Sequence, residues 1–326
     1  MKPRTCIRSV IATVLAIGAL SSQPALAQTA RFYWKSLSGG YGIPLIYQSM
    51  SGNTNPFDPS HSVVPGANFS ATMAMAGVAH TFSLSNRAAS LAVIAPMGRI
   101  SGEVTAGGLT FMEQTGGFGD PMIEFDINIL GPRAQKSIPD AMRYEPGFSI
   151  DLLADLAVPI GKYDSSQALN IGLNRWYGRV AMPVVWQLGP WVPGRRTTLE
   201  FLPSLWLFGD NTDYVGGQTL ETDPAFQLEA HLTRDFTEHF WGSLEAVWYV
   251  GGKASVNGVS GENLNNVGLG FMVGYTINDN LGLRFGYKST VNDRAPEDLR
   301  MDVFTVSLVF GWHPIIEGSR RLQGQE

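Results

Sequence analysis

A two-residue alternation of apolar and polar side chains recurs along almost the whole chain, and no other feature constrains the fold as tightly. Residues 120–131 set Ile123, Phe125, Ile127 and Ile129 on one face and Glu124, Asp126 and Asn128 on the other. Successive side chains of an extended strand point to opposite sides, so such a segment has one apolar and one polar surface. Residues 149–160 repeat the pattern, with Ile150, Leu152, Ala154, Leu156 and Val158 opposite Ser149, Asp151 and Asp155. In 225–233, Phe226, Leu228, Ala230 and Leu232 oppose Gln227, Glu229, His231 and Thr233. Near the end, Phe304, Val306, Leu308, Phe310 and Trp312 oppose Thr305, Ser307 and Gly311. Between these, Leu269, Phe271, Val273, Leu283 and Phe285 stand against Gly268, Gly270, Arg284, Gly286 and Lys288. No convincing helical period follows residue 27, so the expected fold class is all-β.

Composition narrows the choice. Only 16% of residues are charged, 11% are aromatic and 37 of the 326 are Gly. With a formal charge of −5, the chain does not fit a coiled coil, a helical repeat or a binder of nucleic-acid phosphates. The amino-terminal stretch carries Lys2, Arg4 and Arg8, then an apolar run from Val10 to Leu20, then Ala25-Leu26-Ala27 before Gln28. That order is a secretory signal with cleavage near Ala27/Gln28. The run is too short to cross a bilayer, which takes about 20 apolar residues. Cys6 lies in this leader, so the exported chain has no thiol for a disulfide or a Cys-based metal site.

About twelve strands are expected, near 37–47, 68–82, 88–98, 118–130, 146–160, 169–188, 197–209, 224–236, 240–250, 264–277, 281–290 and 300–312. Their connections alternate between longer ones (48–67, 99–117, 161–168, 210–223, 251–263, 291–299) and mostly shorter ones (83–87, 131–145, 189–196, 237–239, 278–280). An even strand count with short turns at one rim and longer loops at the other marks a transmembrane antiparallel up-and-down β-barrel. Its short turns are periplasmic and its longer loops extracellular. Hydrocarbon requires every backbone group to be paired internally, and a closed sheet achieves that without edges. Trp176, Trp186, Trp206, Phe208, Trp248, Tyr275, Tyr287 and Trp312, near strand ends, fit interfacial girdles. The expected organisation is a signal peptide over 1–27, a barrel over 28–312 and a periplasmic tail over 313–326. Residues 28–60 form a first strand with a long loop, or a plug. The location expected is the outer membrane of a Gram-negative bacterium.

Three short motifs go beyond the generic pattern. Gly116-Gly117-Phe118-Gly119-Asp120-Pro121 opens a strand, and Pro159-Ile160-Gly161-Lys162-Tyr163-Asp164 closes another. Asn170-Ile171-Gly172-Leu173-Asn174-Arg175-Trp176 follows, with Asn211, Asp213 and Gly251-Gly252 further on. In this order, over roughly 50–312, they resemble the outer-membrane transporters associated with the phenol meta-cleavage (MetA) degradation pathway. The resemblance implies a barrel that passes small, often hydrophobic or aromatic, compounds, and no catalytic residues.

On this reading the polar faces line a lumen. The lumen-lining candidates are Glu124, Asp126, Asn128, Asp151, Asp155, Arg175, Arg179, Glu200, Glu229, His231, Glu245, Arg284 and Lys288. They either fill and rigidify a narrow barrel or select among solutes. No His-x-x-x-His pair or Walker A motif occurs, so no metal, cofactor or nucleotide site is expected. Asp210-Asn211-Thr212-Asp213 could hold Ca²⁺ but reads better as a solvated turn. The expected function is passive passage of small molecules by a channel that is not an enzyme. The expected partners are outer-membrane lipid and lipopolysaccharide, the barrel-assembly machinery and the solute. The alternatives are a closed structural or adhesive barrel, and a lipid-modifying barrel enzyme using His231 and Ser243.

Overall fold

The computed structural model describes residues 29–106 and 109–322; the leader expected over 1–27 lies outside them. Strand β1 (Tyr41–Gly52) pairs with β2 (Ala67–Leu84), and β2 with β3 (Arg87–Ala106). β3 pairs with both β4 (Leu109–Phe118) and β5 (Met122–Leu130), two halves of one stave. β6 (Phe148–Ala157) pairs with β5, and on its other side with β7 (Tyr177–Ala181) and β8 (Val184–Gln187), again halves of one stave. After β9 (Thr197–Phe208) the chain makes the short β10 (Asn211–Tyr214) and β11 (Gln218–Thr222) and returns as β12 (Ala225–Asp235). It continues through β13 (Phe240–Gly251), β14 (Ala254–Val256), β15 (Val259–Ser260), β16 (Leu264–Asn278), β17 (Leu281–Thr290) and β18 (Met301–Trp312). β18 then pairs with β1 from Tyr41↔Trp312 to Gly52↔Met301. The result is a closed antiparallel barrel of 12 staves. β10, β11, β14 and β15 form a small separate sheet in the loops at one end.

The breaks within staves fall at prolines. Pro121 and Pro183 have no N–H to donate, so the ladder is interrupted beside each. Short turns gather at one rim: 85–86, 236–239 and 279–280. Ser85 and Asn86 both have positive φ (48° and 64°), as a two-residue hairpin turn requires. Both ends of the β1–β18 seam nearest the chain termini lie at this same rim. The other rim carries 53–66, 158–176, 209–224, 252–263 and 291–300. Exposure alternates along the staves: Leu45, Tyr47, Leu91, Val93, Leu152 and Leu156 face outward while their neighbours are buried.

Four expectations need correction. The first strand is 41–52, not 37–47. Of residues 99–117, expected as a loop, 99–106 and 109–117 instead continue β3 and β4 as paired strands; polar Ser101 and Glu103 face outward there and give the strand a loop-like composition. Residues 169–176 are loop rather than strand, because Leu169, Ile171 and Leu173 alternate only to bury themselves in the barrel mouth. Trp206 and Phe208 leave the girdle: Trp206 is buried and donates Nε1–H to Gln227 Oε1 at 2.9 Å, and the Phe208 ring lies 5.0 Å from the Arg175 guanidinium. Trp176, Trp186, Trp248, Tyr275 and Tyr287 remain exposed. Two short helices also occur, α1 (Ile138–Met142) and α2 (Pro314–Leu322). In the tail expected over 313–326, Ile316 packs with Leu37 and Ala141.

The three motifs meet at the break between β4 and β5. Gly161 N–H donates to Asp120 Oδ1 and Leu173 N–H to Oδ2, both at 2.8 Å. Val158 N–H and Lys162 N–H donate to the Pro121 and Phe118 carbonyls, so loop 158–176 patches the gap in the ladder. The contact is possible only without side chains: a Cβ on Gly161 would sit 2.6 Å from the Gly119 carbonyl carbon, and one on Gly172 the same distance from Gly161. We expect Gly172→Val to destabilise the fold by on the order of 1–3 kcal/mol and to expose loop 158–176. Limited proteolysis of the folded protein in detergent, with the midpoint of thermal unfolding, would check both effects.

Candidate functional site: the lumen

The interior has two chemistries. On the β1–β3 and β18 side it is apolar: Met50, Met73, Met75, Ile94, Ile100 and Val303 are buried and point inward. On the β5–β13 side it is charged. Burying a charge is tolerated when it is paired and hydrogen-bonded, and the pairs are close. Arg179 Nη2 lies 2.6 Å from Asp155 Oδ2 and 4.0 Å from Glu124, and its Nη1 is 4.0 Å from Glu229. Its guanidinium also sits 5.1 Å from the Trp206 ring. His231 stands between Glu229 and Glu245, at 3.6 and 3.4 Å, and Lys288 reaches Glu245 at 3.2 Å.

At the short-turn rim the chain itself enters the barrel. Residues 29–34 are buried, though no strand contains them. Arg31 N–H donates to Glu200 Oε2 at 2.8 Å and Trp34 Nε1–H to Glu200 Oε1 at 2.7 Å. The Arg31 guanidinium pairs with Asp235 at 2.6 Å and lies 4.3 Å from both the Trp34 and Trp241 rings. Lys35 bridges Asp126, at 2.8 Å, and Asp151. Arg284 donates to Thr29 Oγ1 at 2.8 Å. The cavity left beside this segment, lined by Phe32, Trp34, Lys35, Ser90 and Asp126, measures about 30 Å³, the room of a single water.

The longer loops fill the opposite end. Phe57, Leu169, Ile171 and Leu299 pack on the apolar wall. Arg175 pairs with Asp58 at 3.0 Å and donates to Thr222 Oγ1 at 2.7 Å. Asn211, once a candidate for Ca²⁺, uses its amide to donate to Tyr163 Oη and the Leu173 carbonyl, so the 210–213 turn pins the loop. His61 is buried with its ring 4.8 Å from that of Tyr249.

Of the candidates, Glu124, Asp155, Arg179, Glu229, His231, Glu245 and Lys288 form one column, and Asp126, Asn128 and Asp151 cluster around Lys35. Glu200 and Arg284 meet the amino-terminal segment, and Arg175 lies in a loop, not a strand. Sequence reasoning passed over Arg31, Trp34, Lys35, Asp58, Arg196 and Asp235. One signal existed: the candidate carboxylates outnumbered the candidate cations, so cations had to come from elsewhere. Ser243 and His231, the pair named for the enzyme alternative, are engaged elsewhere. Ser243 Oγ donates to the Leu244 carbonyl, while His231 faces carboxylates.

Burial holds the His61 imidazole down at about 4, below its ordinary value near 6.5. The unfolded chain therefore takes up the proton first as pH falls. The stability this buried neutral ring contributes is complete above pH 6.5, declines through the interval down to 4, and amounts to up to about 3 kcal/mol. A His61→Asn chain should show a flatter fall in unfolding temperature between pH 7 and pH 4 than the unaltered chain, measured by circular dichroism.

Comparison with known proteins agrees with this architecture. An outer membrane channel from Pseudomonas putida F1 superposes with a TM-score of 0.70 at 16% identity, covering 88% of this chain and 100% of that one. The β domain of the Bordetella autotransporter BrkA (TM-score 0.45, 9% identity, 84% and 100% covered) and the KdgM porin (0.41, 8%, 83% and 99%) are likenesses too slight to bear on function. No curated protein matches the chain. Residues 52–300 match the family model described as "Putative MetA-pathway of phenol degradation", and the chain belongs to that family.

Proposed function

We propose that this protein is a passive outer-membrane channel for small molecules, favouring hydrophobic or aromatic ones. The observation that carries the reading is the split interior. A methionine- and isoleucine-lined wall runs beside a column of charges, inside a barrel whose outward face is greasy. Methionine side chains are flexible and polarisable, so they adapt to varied apolar solutes. The charged column gives the facing wall a polar character, so the interior is not uniformly lipid-like. Twelve staves also enclose more room than a filled eight-stranded barrel and less than an open porin, which favours small solutes. The structural relative of highest similarity described above is itself an outer membrane channel, in keeping with this function.

A second reading, a closed structural or adhesive barrel, draws on the packing of both ends of the lumen. The two readings part in a planar bilayer. A channel gives discrete current steps that a small monoaromatic compound reduces, and Met73→Lys with Ile100→Lys, on the apolar wall, weakens that reduction by about tenfold. Absence of current at every voltage, together with no solute flux into liposomes, would refute the channel.

A further inference from the structure

We infer that Glu200, Asp235, Asp126 and Asp151 form a binding site, at the short-turn end of the lumen, for a ligand combining a cation with an aromatic ring. In this structure the chain's own residues 31–35 occupy it. The inference deepens the channel reading and rests on it for its physiological meaning.

The segment is held as a ligand is held, not as a stave is. From Thr29 to Lys35 none of its backbone joins a strand ladder. Its ties to the wall are side-chain contacts: Arg31 to Asp235, Trp34 to Glu200, Lys35 to Asp126 and Asp151. Backbone ladder-type bonds begin at Ser38 and Gly39, which donate to the Gln135 and Thr81 carbonyls. Residues 29–35 thus reach inward from a tether at the rim that starts with the Leu37↔Gln135 bridge.

The wall matches the segment in charge and shape. Glu200 accepts two of its donors, with Thr198 Oγ1–H supplying a third at 2.6 Å. Trp241 of the wall and Trp34 of the segment both hold their rings 4.3 Å from the Arg31 guanidinium. With the segment withdrawn, Glu200 keeps the Thr198 hydroxyl and the nearby charge of Arg284, and Asp126 and Asp151 lose their shared ammonium. Asp235 retains Arg196, at 2.7 Å. The vacated site then holds four carboxylates against Arg196 and Arg284, and is flanked by Trp241 and by Trp191, whose ring lies 4.6 Å from that of Trp34, a setting that favours cations through carboxylate pairing and ring stacking. An amine or guanidinium carried on an aromatic group meets the same contacts the segment makes. So does the segment itself supplied from outside.

The test uses the mature barrel refolded in detergent and in planar bilayers, with the probe a fluorescent peptide of residues 28–36 (Gln-Thr-Ala-Arg-Phe-Tyr-Trp-Lys-Ser). A chain lacking residues 29–36 should bind the peptide, whereas the unaltered chain, already occupied, should not. A full-length Arg31→Gln, Lys35→Gln chain should also bind it, which covers the case in which the deletion fails to fold. A peptide with both cations replaced by Gln should bind about tenfold more weakly, and so should the original peptide to a deleted barrel carrying Asp126→Asn and Asp151→Asn. In bilayers the deleted chain should pass more current than the unaltered one, with a preference for cations, and the peptide should block it from the short-turn side only. Equal binding of charged and neutral peptides, or no binding to either variant, would overturn the site. Binding without any current in either chain would uphold the site and refute the channel.

Discussion

The ladder that joins β1 to β18 is the constraint on which the rest of the structure depends. A backbone N–H or C=O left without a partner in an apolar medium costs roughly 2–7 kcal/mol. Twelve staves with free edges would expose two rows of such groups to lipid. The pairing from Tyr41↔Trp312 to Gly52↔Met301 removes both rows at once. It also explains why the first and last strands must start and end at the same rim, and why the stave count is even.

Closure creates an inside, and the inside sets the next problem. Carboxylates on alternate positions of β5, β6, β9, β12 and β13 turn inward, away from lipid, and must be matched there. Arg179, Lys288 and His231 serve the middle of the column. The inner end is served by Arg31 and Lys35, which belong to no stave. The segment before β1 therefore folds into the lumen for an electrostatic reason as well as a steric one. At the other end Arg175 and Asp58 tie two loops together over an apolar layer of Phe57, Leu169 and Ile171. Both ends are closed by side-chain contacts on tethered segments, while the wall between them is held by continuous backbone ladders. Local opening costs least where ladders are absent, so these segments are the least firmly held parts of the barrel.

Much of this was legible in the amino-acid order. The alternation in 122–130, 148–157 and 225–235 identified strands and their polar faces, because lipid imposes the period directly. The faces assigned to Glu124, Asp151 and Glu229 agree with their burial. Other features were not legible, for physical reasons. In 99–117 the outward face has left the lipid and turned polar, so a strand resembles a loop. In 169–173 the alternation is real but serves burial in the mouth, not pairing. Trp206 was misplaced because a tryptophan at a strand end fits a girdle and a lumen equally well until its Nε1–H partner, Gln227, is known. Arg31-Phe32-Tyr33-Trp34-Lys35 has no period, and only its three-dimensional partners reveal what it does. The glycines of the three motifs became intelligible once Gly161 was seen packed between Gly119 and Gly172.

Hydrogen exchange on the mature protein in lipid vesicles probes the closed wall most directly. Amides of Tyr41–Gly52 and Met301–Trp312 should be as strongly protected as those of Ala225–Asp235, in the middle of the sheet. Rapid exchange confined to the first and last strands would mean that the sheet has free edges, and the account of a sealed barrel would be wrong.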